Sequence, residues 1–215
     1  MTRFVKLLGL WLLLGIGGCR SSTTCDTLPF FNRPDFTPEW IESGTSAYDS
    51  IHRIPPFRFM DQDSNWITEQ TVSGKIYVAD FFFTTCKSIC PRLTQHMGVL
   101  QQRFSGNPDV LFLSHSVLPE MDSVPVLNRY AKRNGIPSNQ WHLLTGERDS
   151  IYRLARREYF AGDTVGYFQA GDQFLHTENF ILLDRHRRIR GIYNGTLRLE
   201  VDRLEEDIHT LLLEK

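Results

Sequence analysis

The stretch from Lys75 to Pro91, KIYVADFFFTTCKSICP, limits what this chain can fold into more than any other. Lys75 to Phe83 is almost continuously apolar and β-branched or aromatic, the pattern of a strand buried on both faces in a parallel or mixed sheet flanked by helices. From about Ser88 onward Leu93, Met97, Leu100 and Phe104 recur at spacings of four, three and four, so a helix begins near the second of two cysteines. Cys86 and Cys90 therefore stand at a strand-to-helix junction. Exposed N–H groups and the positive end of a helix favour thiolate there, the form that attacks disulfides and binds metals. Lys87 between them pushes the same way. A helix that begins early enough to include both cysteines sets them one turn apart on one face, in reach of a single ion. Two buried structural cysteines are the plain alternative; spacing, junction and compartment together favour chemistry.

The compartment is read from the N-terminus. MTRFVK and then LLGLWLLLGIGG form a short basic region followed by an apolar stretch too short for a comfortable membrane span, which reads as a secretory signal. It ends in Gly17-Gly18-Cys19, which resembles a bacterial lipoprotein signal over residues 1–18, with Cys19 lipidated as the new N-terminus. A plain signal peptide cut nearby, or an uncleaved anchor, is the other reading. Either way the domain is exported, into the bacterial cell envelope on the periplasmic side. Thiols there oxidise unless a reductant or a metal protects them. With Cys19 set aside, Cys86, Cys90 and Cys25 remain, and Cys25 is expected to be an accessory or unpaired thiol. The formal charge of −1 over 215 residues argues against a nucleic-acid partner.

Residues 19–50, with scattered prolines and aromatics and no period, read as a tether whose aromatics can dock back on the domain, and residues 51–215 as one domain. Phe57 and Phe59 suggest a short edge strand after Pro55-Pro56, and DQDSN a turn. Asp109 to Ser114 is a second buried strand, giving a β-α-β unit. Ser123 to Asn134 reads as a helix begun at Asp122 or Ser123 and closed by Gly135. Trp141 to Thr145 is strand-like, and Asp149 is expected to cap the helix that follows. Phe160 to Phe174 is irregular. Glu178 to Asp184 and Ile189 to Tyr193 form an antiparallel hairpin across the basic turn Arg185 to Arg190, and an amphipathic helix carrying Val201, Leu204 and Ile208 ends the chain. The turn could dock an acidic partner, although a charged hairpin tip is more simply solvated. Order and content fit an α/β fold of thioredoxin-like type, with a mixed central β-sheet flanked by helices.

Two thiolates suit either a redox pair or part of a metal site. By analogy with the thioredoxin fold, His176, just ahead of the hairpin, is the best third donor. His115, at a strand end, is a weaker one. His96 and Met97 are better explained by packing, and His52, His142, His186 and His209 as surface or satisfied residues. Soft thiolates select Cu(I), imidazole suits either copper state, and two sulfurs with one nitrogen make a three-coordinate site, whereas structural zinc ordinarily wants a fourth protein ligand.

From about Ile54 to the C-terminus the chain resembles the SCO/SenC proteins, thioredoxin-fold copper chaperones for cytochrome c oxidase assembly. The resemblance rests on Gly74-Lys75, on Phe83-Thr84-Thr85-Cys86-Lys87-Ser88-Ile89-Cys90-Pro91, on Pro119-Glu120-Met121-Asp122, on Trp141 to Gly146, and on His176-Thr177 before Phe180 to Asp184. It implies that Cys86, Cys90 and His176 bind copper. It also implies a partner that is the copper-containing subunit of cytochrome c oxidase or another copper-accepting exported protein, and a membrane reached through the lipid on Cys19. Lys87, Leu118 and Leu175 depart from the family pattern of Pro, Asp and Asp; the two leucines remove carboxylates that would orient ligands. The alternative is a thiol-disulfide oxidoreductase with Cys86 and Cys90 as its redox pair. Such enzymes typically carry C-x-x-C, whereas three residues intervene here. A peroxidase would need a cysteine environment that Phe83-Thr84-Thr85-Cys86 does not offer.

Overall fold

Alternating burial on either side of one strand organises the molecule. In the computed structural model, which describes residues 27–161 and 177–214, every residue of the strand Ile76–Phe82 is buried. In chain order the strands are β1 (Phe30–Phe31), β2 (Pro38–Glu39), β3 (Arg58–Met60), β4 (Trp66–Thr68), β5 (Ile76–Phe82), β6 (Val110–Ser116), β7 (Trp141–Leu144), β8 (Asn179–Leu183) and β9 (Ile189–Asn194). The helices are α1 (Ser46–Asp49), α2 (Cys90–Arg103), α3 (Val124–Asn134), α4 (Arg148–Arg153), which runs on as a wider π-helical turn over Leu154–Glu158, and α5 (Arg198–Leu213).

Five strands make the central sheet in the order β7-β6-β5-β8-β9. β5, β6 and β7 are parallel, β8 is antiparallel to β5, and β9 is antiparallel to β8. The sheet is therefore mixed, as the alternation of apolar runs and helical periods predicts. Tyr77, Ala79 and Phe81 face one core, which Phe57, Phe59 and Tyr159 close; Ile76, Val78 and Phe82 face the other, under α2, α3 and α5. Gly135 takes φ 65° in the left-handed region where it ends α3, a conformation that costs glycine nothing.

Three local expectations are corrected. The strand near Phe57 and Phe59 does not edge the main sheet. β3 pairs with β4, around a turn in which Asp61 Oδ1 accepts from the Asp63 and Asn65 amides, and only Met60 bridges to Thr145 beyond β7. Glu147, not Asp149, caps α4: its carboxylate accepts from the amides of Asp149 and Ser150, because Asp149 already lies inside the first turn and its N–H is one of those needing an acceptor. The hairpin turn is not simply solvated, since Arg188 and Arg190 are 4% and 3% exposed.

Those two arginines explain what becomes of the segment expected to be a tether. Arg188 pairs with Asp184 at 2.7 Å, Arg190 with Glu214 at 2.7 Å, and both guanidinium groups stack on the Phe30 ring. Arg190 also donates to the carbonyls of Leu28 and Pro29. Residues 28–31 are thus fastened along β9, and the aromatic Phe30 does dock on the domain.

Candidate metal and thiol site

β5 ends at Phe82, and the Cys86 amide donates to the Phe83 carbonyl at 3.3 Å, so the chain turns before the helix begins. α2 starts only at Cys90, with Ile89 as N-cap and Pro91 in its first turn. The helix thus begins at the second cysteine, as its periodicity predicts, and Cys86 lies outside it, so the two cysteines do not share one helical face. Proline is well placed in a first turn but ill suited further in, and the helix forms from there on.

No side-chain oxygen caps α2. The amides of Ser88, Ile89 and Cys90 instead lie close enough to the Cys86 sulfur to bear on its charge. Burial pushes the Cys86 thiol up, but donation from the Cys90 thiol and from the amides of Cys90, Ser88 and Ile89 outweighs it, and the net result lies below the ordinary thiol value. Lys87 is exposed, so its charge is screened by solvent; the converging amides are what favour the thiolate. Cys90 is its opposite. It is 4% exposed, and burial first, then the thiolate it serves, hold its own thiol up. Both cysteines are free. One partly exposed sulfur inclined to ionise thus sits against a buried sulfur inclined to keep its proton.

Two acidic residues to which the sequence reading gave no part in the site support this pair. Asp122, fully buried, accepts from the Thr84 amide at 3.1 Å, from the Thr84 hydroxyl, and from the Ser116 hydroxyl at 2.6 Å. It ties the turn before Cys86 to the end of β6; the helix start attributed to it belongs to Ser123. Asp80 sits on the same face of β5 as Val78 and Phe82, the face that packs on Cys90. Burial raises its carboxyl to about 7 against the opposing effect of the Ser114 hydroxyl, and its Oδ1 has no partner. The available signal was the residue itself, an acid inside a strand otherwise apolar.

His115 does not belong to the site. It projects from the other face of the sheet, stacked on Phe81 and edged by Phe59, and burial lowers its imidazole to about 3. His96 donates its Nδ1–H to the Gly195 carbonyl at 2.6 Å, so it is a structural link. Leu118 is partly buried, its amide on the Ser116 hydroxyl. His176, Leu175, Cys19, Cys25 and the irregular stretch 162–174 lie outside the described residues. Thr177, which follows His176, is buried at the head of β8, and the antiparallel pairing of β8 with β5 puts that head at the end of the sheet where β5 runs out toward Cys86. α2 is packed close to it: a Cβ on Gly195 would meet Leu93 at 2.7 Å and Phe180 at 2.8 Å. Among the described residues, no three His, Cys, Asp or Glu side chains cluster to hold a metal.

The family model for SCO1/SenC matches residues 46–213. The chain belongs to the SCO1/SenC family. A SCO1 protein homolog of Bacillus subtilis is 31% identical over 159 residues, 73% of this chain and 81% of its own. Among solved structures, BsSco, described as a Sco-family cytochrome c oxidase assembly protein with a disulfide switch, superposes with TM-score 0.65 at 30% identity, covering 77% of this chain and 96% of its own. A SCO1/SenC family lipoprotein of Bacillus anthracis reaches TM-score 0.65 at 26% identity over 76% and 96%. Bradyrhizobium japonicum ScoI, solved with copper bound, shares the fold at TM-score 0.56 and 19% identity over 73% and 98%. The thioredoxin-like architecture expected from the sequence is thus that of SCO1/SenC proteins.

Proposed function

We propose that this SCO1/SenC chain carries copper as cargo on Cys86, Cys90 and His176 and passes it to a copper-accepting subunit of cytochrome c oxidase during assembly, while a lipid on Cys19 holds it to the membrane outside the cytoplasm. The observation that carries the reading is the sulfur pair: a partly exposed thiol at the start of a helix, inclined toward thiolate, beside a second thiol four residues on is a soft donor set suited to Cu(I). His176 supplies the nitrogen, and its neighbour Thr177 stands at the same end of the sheet. Related proteins described as assembling cytochrome c oxidase, holding copper and being lipoproteins support the cargo, the recipient and the anchor. No helix among the described residues is long and apolar enough to cross a membrane.

The same asymmetry favours a second reading, thiol-disulfide exchange. The Cys86 thiolate would attack a partner disulfide, and Cys90 would resolve the mixed disulfide, leaving the partner as a dithiol and this chain oxidised by two electrons. One substitution separates the two. His176→Ala removes a copper ligand and leaves both thiols, so a copper carrier is expected to lose Cu(I) affinity in anaerobic titration and to fail in oxidase assembly under copper limitation, with exchange rates unchanged. Full assembly in that strain would transfer the proposal to the reductase.

A further inference from the structure

The end of the sheet opposite the cysteines is built differently. It holds a cleft of about 690 Å³ floored by Ile76, the first residue of β5, and walled by the β8–β9 turn at Asp184 and Arg185 and by Glu214 after α5. Thr27, where the described chain begins, is on its rim, and its carbonyl accepts from Trp40 Nε1 at 3.2 Å. Trp40, on the cleft wall, is 66% exposed. A large aromatic side chain thus stands open to solvent where the described chain begins. The charges around it are matched: Arg185 pairs with Asp109, and Arg188 and Arg190 with Asp184 and Glu214. The described arginines that line the cleft are all paired, so a contact through Trp40 here is aromatic and apolar in character.

Chain length says what meets this surface. Thr27 is only eight residue steps from Cys19, a span of at most about 28 Å fully extended and roughly 16 Å on average for a flexible chain. If Cys19 carries the lipid, the cleft end is held within that distance of the bilayer at an effective concentration on the order of millimolar, at which a weak contact is populated. We propose that this end of the domain rests on the lipid surface, with Trp40 set in the headgroup layer, so that the cysteine end faces away from the membrane. The proposal rests on the lipid-anchor reading of Cys19. An indole is suited to that layer, being apolar in body with one N–H, and that N–H is already satisfied by Thr27. Six residue steps along β5 set the cysteines roughly 20 Å farther out, where a partner standing clear of the headgroups meets them.

The test uses the mature lipidated chain purified from membranes and placed in phosphatidylcholine vesicles whose acyl chains carry bromine near the headgroup. Mass spectrometry first reads whether lipid is present on Cys19. Bromine is expected to quench the tryptophan fluorescence of the wild-type chain. Trp40→Phe should remove at least half of that quenching, and Trp66→Phe, on the β3–β4 hairpin near Thr145, should leave it intact. A chain without lipid on Cys19 overturns the anchor and this proposal together. A lipidated chain that floats with the vesicles but whose quenching is indifferent to Trp40→Phe overturns the orientation alone and leaves the anchor standing.

Discussion

Asp80 has to be neutral to be comfortable. The Ser114 hydroxyl favours its charged form, but burial outweighs that and raises the carboxyl from 3.8 to about 7. A carboxyl whose folded-state value is raised binds its proton more tightly in the folded chain, so folding is favoured at low pH and loses stability as pH rises from about 4 through 7. The full cost above pH 7 is about 4 kcal/mol, from three units at 1.36 kcal/mol each. Asp80→Asn removes the titration. Urea denaturation at pH 4 and pH 8 is expected to find the variant close to wild type at the first and more stable by up to about 4 kcal/mol at the second; an equal difference at both pH values would refute the assignment. A chain that keeps so costly a group under Cys90 retains negative charge or a proton close to its sulfurs, which ties the strand to the chemistry above it.

At the scale of elements, the turn between β5 and α2 is positioned by a residue far away in sequence. Asp122, between β6 and α3, receives three hydrogen bonds from Thr84 and Ser116, and so fixes the strand end from which Cys86 hangs. Asp122→Ala leaves those buried donors without an acceptor, an expected loss of about 3 kcal/mol, and lets the turn move off the amides of Ser88, Ile89 and Cys90. Iodoacetamide is expected to label Cys86 before Cys90 in the wild type, because the partly exposed sulfur that ionises more readily reacts first. That preference should shrink in Asp122→Ala even at urea concentrations where the variant is folded. Unchanged labelling order with unchanged rates would mean that the helix start alone holds Cys86. The strand, the helix and the break between them were legible in the apolar run and the four-three-four spacing, since those are local periods. The clamp was not, because nothing near position 84 signals a partner at position 122.

Across the whole molecule, the N-terminal segment and the C-terminus meet at one buried charge. Arg190 joins Asp184, Glu214 and the carbonyls of Leu28 and Pro29. Arg190→Met, similar in length but uncharged, strips Asp184 of one of its two arginines and unfastens residues 28–31. Breaking such a buried pair from one side costs about 3–5 kcal/mol. Tryptic cleavage after Arg33, which is well exposed but lies between β1 and β2, is expected to accelerate under native conditions. Cleavage at the wild-type rate would show that the β1–β2 pairing holds the segment without Arg190. The same attachment carries the cleft, Trp40 and the proposed orientation, so docking of this segment decides which way the cysteines face.

By itself the sequence determined the five main strands, the helices α2, α3 and α5, the β8–β9 hairpin and the strand-to-helix junction that holds the thiols, because periods of two and 3.6 record which residues must be buried within a single element. Tertiary structure decided the rest. It sent His115 to the face of the sheet away from Cys90, although a strand shows only that its side chains alternate, not which face will meet α2. It buried Arg188 and Arg190 beneath Phe30, residues that in isolation read as a solvated turn, and it placed the N–H groups of Ser88, Ile89 and Cys90 around a sulfur just outside the helix. The first two depend on segments distant in sequence packing together, the third on a turn that Asp122 holds from afar, and the desolvation and hydrogen bonds that set their charges arise only once that packing excludes water.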